Sequence, residues 1–272
     1  MNRFVRLFGT TVAVSLLSAT FVFAEYAEAP VSGGGTVSGK INFKGAQPAP
    51  MKFDLNKFPQ AKFCSQVDSE GTTRLRQDVK VKGGVLSDVV VYITNIEKGK
   101  PFKPETTKVV ADNCRFLVDG GPSKSVGVVV KKGEISFTNH DADPSEEKSK
   151  EGVLHNPHGY EIVGAKSTTT FNKPLPKKGQ TITEKIKPIN FKKEGSFMKV
   201  ECDQHNYMNV WFLPIENPYY AVVGEDGTFS IGDVPAGKYK LIAFHPSLGF
   251  QEKEIDVAGG GKVAADFEFA PK

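Results

Sequence analysis

The chain is 272 residues long, 39% hydrophobic and 24% charged, with 27 Gly, 17 Pro, 20 Phe and 3 Cys. That balance is globular and excludes a disordered or fibrous chain, and so few cysteines exclude a disulfide-dense mini-protein. Lys plus Arg number 35 against 31 Asp plus Glu, a formal net charge of +4, which gives no support to the concentrated basic stripe of a nucleic-acid binder.

The first element is a targeting segment. Arg3 and Arg6 make a basic start, Leu7 to Val22 is largely apolar, and Val22-Phe23-Ala24 ends on a small residue, as a signal-peptidase site does. A transmembrane anchor is the competing reading, but Gly9, Thr10, Thr11, Ser15, Ser18 and Thr20 interrupt the run, and it is short for a span. Residues 1–24 therefore read as a cleaved signal peptide. That implies a periplasmic or secreted protein, no membrane span after cleavage, and a compartment that permits a disulfide.

After Gly33, Gly34 and Gly35, the stretch Thr36 to Lys44 alternates strictly, with Val37, Ile41 and Phe43 on one face of a half-buried strand. Pro- and Lys-rich text follows from Gln47 to Gln60, then a polar stretch from Asp68 to Gln77 without a clear period. Val85 to Thr94 is a β-branched run, the pattern of a strand buried on both faces. Lys98 to Pro104 reads as a linker. From Lys108 onward short apolar strands and turns repeat, through Glu134–Asn139, Ser196–Cys202 and Asn209–Ile215, with no amphipathic helix. Glu225-Asp226-Gly227 predicts a β-hairpin between Tyr219–Val223 and the alternating Phe229 and Ile231. Asp233 to Gly237 is a second turn before Tyr239–Phe244, and Val263–Phe269 is the final strand. The chain is all-β, and sandwiches are the natural architecture.

DGTFSIGDVPAGKYKLIAFHP (Asp226–Pro246) resembles the hallmark of carboxypeptidase regulatory-like, or transthyretin-like, β-sandwich modules. The opening strands of such modules are similar to GTVSGKINF at Gly35–Phe43 and GVLSDVVVYI at Gly84–Ile93, far upstream of the hallmark. The resemblance implies one discontinuous sandwich, 33–102 with 217–272, and a second domain, 104–216, inserted into it. The alternative is that the N-terminal segment decorates the insert.

Within the insert stands Cys202-Asp203-Gln204-His205-Asn206-Tyr207-Met208, a C-x-x-H-x-x-M loop between two predicted strands, and upstream lies LHNPH at Leu154–His158. One thiolate, two imidazoles and a thioether are the ligand set of blue-copper electron-transfer sites, with Met as the weak axial ligand. A tight loop between strands can bring Cys, His and Met round one ion, and the remaining histidine must come from elsewhere in the sandwich. A zinc site built from Cys202, His205, His155 and His158, discarding Met208, is the alternative. His140 reads as a solvated loop residue and His245 as a satisfied core or edge histidine.

These motifs, with KKGEISFTN at Lys131–Asn139, resemble the cupredoxins, most of all amicyanin-like members whose first ligand lies in an HNVH segment. The resemblance covers roughly residues 125–216 and implies a Greek-key sandwich with one mononuclear type 1 copper. His155, Cys202 and His205 would be equatorial ligands and Met208 axial, with Asn156 bracing the ligand loop and His205 at the solvent edge as the electron port. Together with the flanking sandwich, the arrangement is similar to exported methylamine-utilisation-type cupredoxin proteins. Departures are Gln204 and Asn206 where prolines often stiffen the loop, Pro157 in place of an apolar strand residue, and a charged insertion from Asp141 to Glu151 before His155; together these could loosen the site or alter access. In such an exported chain Cys64 and Cys114 take the role of a disulfide, the alternative being two separate buried thiols.

The resulting expectation is a copper protein passing single electrons to a redox protein partner, with Lys173, Lys177, Lys178, Lys192 and Lys193 available for an acidic surface. No catalytic triad, paired-carboxylate motif or phosphate loop is present in the sequence, so an enzyme is not expected. A binding or structural module whose site serves copper storage or sensing is the rival reading.

Overall fold

The computed structural model describes residues 25–187 and 190–271; the signal-peptide reading of 1–24 lies outside them. The described chain is nearly all-β, with one turn of α-helix, Ala61–Cys64, and one 3-10 turn, Leu55–Lys57. Among the described residues no helix is long and apolar enough to cross a membrane.

Two pairs of sheets each enclose a core. In the first pair, a four-stranded sheet runs in the order Phe116–Val118, Thr107–Ala111, Glu134–Asn139, Thr181–Lys185. Its partner is five-stranded, in the order Val126–Val130, Asn209–Ile215, Phe197–Cys202, Pro157–Val163, Lys166–Asn172. Alternation decides what each strand buries: Ile135 and Phe137 from one sheet meet Met198, Val200, Val210 and Phe212 from the other in a single apolar core. Burying each such side chain contributes about 1.5–3 kcal/mol.

The second pair joins strands distant in sequence. Val89–Thr94 lies between Tyr220–Val223 and Gly237–His245, while Gly35–Phe43 pairs with Thr228–Val234 and, in parallel, with Lys262–Ala264 and Phe267–Phe269. Val89, Val91 and Ile93 point into the core of this pair. Val90 and Tyr92 on the opposite face pack with Val126, Val130, Leu213, Ile215 and Phe244. Contact between the two pairs of sheets is thus why the run from Val89 to Ile93 has no polar side.

Three sequence expectations are corrected. The turn Glu225-Asp226-Gly227 is not a hairpin: Tyr220–Val223 pairs with Val89–Thr94, whereas Thr228–Val234 pairs with Gly35–Phe43. The turn carries the chain from one sheet across to the other, so that Val223 and Phe229 enter the shared core from opposite sides. Gly227 sits there at φ +67, where a Cβ would lie 2.4 Å from that of Val85. The hairpin of this region is instead Gly237–His245 with Gly249–Val257, in register from Gly237↔Val257 to His245↔Gly249. The run from Val85 to Thr94 is broken into Val85–Leu86 and Val89–Thr94, with buried Asp88 at φ 59 paired to Lys80 at 2.9 Å.

The third correction concerns the text from Gln47 to Gln77, read as Pro- and Lys-rich and then as polar without a clear period. It holds a small sheet, Met51–Asp54, Thr73–Arg76 and Ser69–Glu70, together with both helical turns. Leu55 and Cys64 are buried in the core of the first pair of sheets, and Phe53, Phe58, Ala61 and Phe63 pack against it. Residues 33–102 therefore do not pack as one unit, because their middle lies on the other core. A disulfide between Cys64 and Cys114, with Cα atoms 5.3 Å apart, ties this covering segment down.

Candidate metal centre

Cys202 ends the strand Phe197–Cys202 and Met208 immediately precedes Asn209–Ile215. Between them the backbone makes two successive turns: His205 N–H donates to the Cys202 carbonyl (3.1 Å) and Met208 N–H to that of His205 (2.8 Å). Cys202 N–H donates to the Met208 carbonyl (3.1 Å), closing the loop on itself. The three-residue spacing of Cys, His and Met is the spacing of these turns. Met208 is buried in the same core as Cys202.

His155 arrives from across the loop. Its backbone forms an isolated bridge with Leu175, and two residues later Pro157 stands opposite Cys202 in the strand register. Buried Asn139 secures this crossing: its amide donates to the carbonyls of Val153 (2.8 Å) and Leu175 (3.0 Å).

His155, Cys202 and His205 are fully buried and bring one ligand atom each within 4.8 Å of the others. Both rings turn the same nitrogen inward. Nδ1 of His155 is 3.9 Å and Nδ1 of His205 3.8 Å from Cys202 Sγ. Both outer nitrogens have oxygen partners, Nε2 of His155 at 2.8 Å from Asp141 Oδ2 and Nε2 of His205 at 3.2 Å from the Pro59 carbonyl. A carbonyl can only accept, so Nε2 of His205 carries the proton and Nδ1 is left with its lone pair.

Burial sets the protonation states. It pushes the Cys202 thiol up to about 11, against the N–H groups of Asn156, Gln204 and His205, which favour the thiolate. Burial, helped by His155, pushes His205 down to about 4, so that ring is neutral at pH 7. For Asp141 burial acts to raise the pKa, but hydrogen bonds from His155 and from the Cys114 and Asn113 N–H groups outweigh it and hold the carboxylate below its usual range. Phe137, Met198, Val200, Val210 and Phe212, all fully buried, belong to the same apolar core as Cys202 and Met208.

Asn156 donates its backbone N–H to Cys202 Sγ at 3.3 Å, and its side-chain amide to Asp203 at 2.8 Å. His158 is turned away: it bonds Asp203 (2.9 Å) and Thr169 (2.9 Å) and stacks on Tyr160. The set of four needed for zinc is therefore not assembled. His140 is exposed and His245 buried. A second trio, Cys64, Cys114 and His205, is also drawn within 4.8 Å, but its two sulfurs are bonded to each other and offer no thiolate.

His205 is not at the solvent edge. The covering segment lays Pro59 over its outer nitrogen and sets Phe53 and Phe58 on the adjacent Tyr207, with ring centroids 5.9 and 5.1 Å away. Buried Arg74 lies over the Tyr207 ring, 5.1 Å from its centroid, and donates to the carbonyls of Cys64, Cys114 and Asn113. The sequence reading missed Pro59, Arg74, Asn139 and Asp141. The charged insertion, read as a departure from the family pattern, supplies in Asp141 a hydrogen-bond partner for His155.

The family model that matches is the beta-sandwich domain of ER membrane protein complex subunit 7, over residues 203–269. That match is to a β-sandwich domain, over about a quarter of the chain, and not to the carboxypeptidase regulatory-like modules that the C-terminal resemblance names. Similar solved structures include a Cu-containing nitrite reductase from Thermus scotoductus SA-01, at 18% identity and TM-score 0.28, with 44% of this chain and 24% of that one covered. The chain thus spans about a quarter of the reductase's length. Two amicyanin variants in their Cu(I) forms match at 15% and 14% identity and TM-score 0.27, covering 46% of this chain and 98% of theirs. No curated protein matches.

Proposed function

We propose that this chain is an exported type 1 copper protein that passes single electrons to a redox protein partner. The observation carrying the reading is the convergence of two Nδ1 atoms on one free, buried thiol, with both Nε2 atoms already engaged. Such a donor set, one soft sulfur and two imidazoles in an apolar shell, fits copper. His155, Cys202 and His205 would hold the ion, with Met208 as the weak fourth ligand. Copper bound there supplies a one-electron couple. The protein's own contribution is to fix both imidazole rings, to exclude water with Phe137, Met198 and Phe212, and to hold the loop through Asn156.

The test is to add Cu(II) to the apoprotein with its disulfide intact and record visible and paramagnetic-resonance spectra. An intense thiolate-to-copper band, absent in Cys202→Ser, is expected; no band under any loading condition would sink the proposal. The sealing of His205 favours a second reading, storage of copper in a closed site. Reversible one-electron cycling with a small-molecule oxidant and reductant separates the two, since a store gives colour without rapid cycling.

A further inference from the structure

The acidic stretch from Asp141 to Glu151 would ordinarily be solvated, yet the Asp141 side chain is 2% exposed. Every donor placed against it points inward. Oδ1 accepts the Asn113 N–H at 2.6 Å, and Oδ2 accepts the Cys114 N–H at 2.9 Å and faces His155 Nε2 at 2.8 Å. Its own backbone N–H donates to Asn139 Oδ1 at 2.9 Å. Asn139 in turn holds the carbonyls of Val153 and Leu175, on either side of the His155 bridge.

We infer that Asp141 is a positioning residue for His155: clamped by two backbone N–H donors, it serves as a pure acceptor that keeps the imidazole proton on Nε2 and the Nδ1 lone pair aimed at Cys202. The inference rests on the metal-centre reading of His155. A carboxylate behind a ligating imidazole fixes both ring orientation and tautomer, and raises the ligand's basicity. The competing role is purely structural. Asn113 and Cys114 both adopt positive φ, 49 and 52, and a carboxylate capping their N–H groups would be useful there without any ligand behind it.

Asp141→Asn separates the two roles. Its amide oxygen, at the Oδ1 position, can still accept the Asn113 N–H, but its NH2 group then faces both the Cys114 N–H, whose bond is lost, and His155 Nε2, which must accept, so the ring proton moves to Nδ1, toward Cys202. In the copper-free protein, 15N NMR of His155 is expected to show the Nε2–H tautomer in the wild type and the Nδ1–H tautomer in Asp141→Asn, with the disulfide intact by thiol counting. Cu(II) affinity is expected to fall by about 10–100-fold. A His155 tautomer unmoved by the substitution, together with copper affinity within about threefold of the wild type, overturns the inference. Should the variant not fold, an Nδ1–H tautomer in the wild-type apoprotein overturns it alone. Failure of the wild type to bind copper would instead overturn the metal-centre reading, which the tautomer measurement does not depend on.

Discussion

The Pro59 carbonyl faces Nε2 of His205 at 3.2 Å, so a residue far upstream of the ligand loop closes over one of its two imidazoles. Pro59 reaches that place because Phe53 and Phe58 pack on Tyr207 and because Cys64 is bonded to Cys114. Arg74 joins the two ends of the arrangement through the carbonyls of Cys64, Cys114 and Asn113. The lid on the site and the disulfide are parts of one structure, and the disulfide is expected to govern how easily an ion leaves.

Replacing both cysteines, Cys64→Ser with Cys114→Ser, is therefore expected to act on stability and on metal retention together. The cross-link has a sequence separation of 50, and removing a loop constraint of that size costs about 4 kcal/mol in the chain-entropy model. Chemical unfolding of the copper-free protein measures that loss. The loaded double variant should surrender copper to a chelator faster than the wild type, and an unchanged release rate would show that the segment carrying Pro59 does not depend on the cross-link to stay in place.

Loading should depend on pH in a defined direction. Burial holds the thiol of Cys202 up to about 11 and pushes His205 down to about 4, so at neutral pH the thiol still carries the proton that a metal must displace. Copper affinity is expected to rise about tenfold per pH unit across pH 5 to 8, with release of one proton per ion from Cys202. Titration in weakly buffered solution reads the proton directly. Affinity independent of pH over that range would mean that Cys202 is already ionised in the apoprotein.

The parts of the site legible in sequence were those set by local spacing. Cys202, His205 and Met208 are three residues apart because each step is one backbone turn, and His155 and Asn156 stand in a short motif beside the strand that pairs with Phe197–Cys202. What could not be read depends on long-range packing. Nothing in the Asp141 to Glu151 stretch marks Asp141 as the buried carboxylate, since its neighbours Asp143, Glu146 and Glu147 are of the same chemical type. Pro59 lies in Pro- and Lys-rich text and Arg74 in a stretch with no period, because their segment is held by packing on Tyr207 and by the disulfide rather than by an amphipathic pattern of its own. The failed hairpin at Gly227 has a similar cause. Turn chemistry states that the chain reverses, and only the positions of Gly35–Phe43 and Val89–Thr94 decide that its two arms belong to different sheets.

His245 supplies a prediction away from the metal centre. It is fully buried beside Phe269; Nδ1 accepts the Ser247 N–H at 3.2 Å, and Nε2 has no hydrogen-bond partner among the described residues. Burial pushes its pKa down to about 4, below the ordinary histidine value of about 6.5. Above pH 6.5 the ring is neutral in both folded and unfolded chains and contributes no pH dependence. As pH falls below about 6.5 the unfolded chain takes up a proton that the folded one refuses, so stability is lost progressively down to about pH 4. The full loss from this residue is about 3 kcal/mol. Urea unfolding of the copper-free protein between pH 7 and pH 4 is expected to show that decline on top of the one due to His205, and His245→Asn should flatten it by about that amount. An equal slope in the variant would mean that His245 is protonated in the folded chain and that Nε2 has an acceptor supplied by solvent.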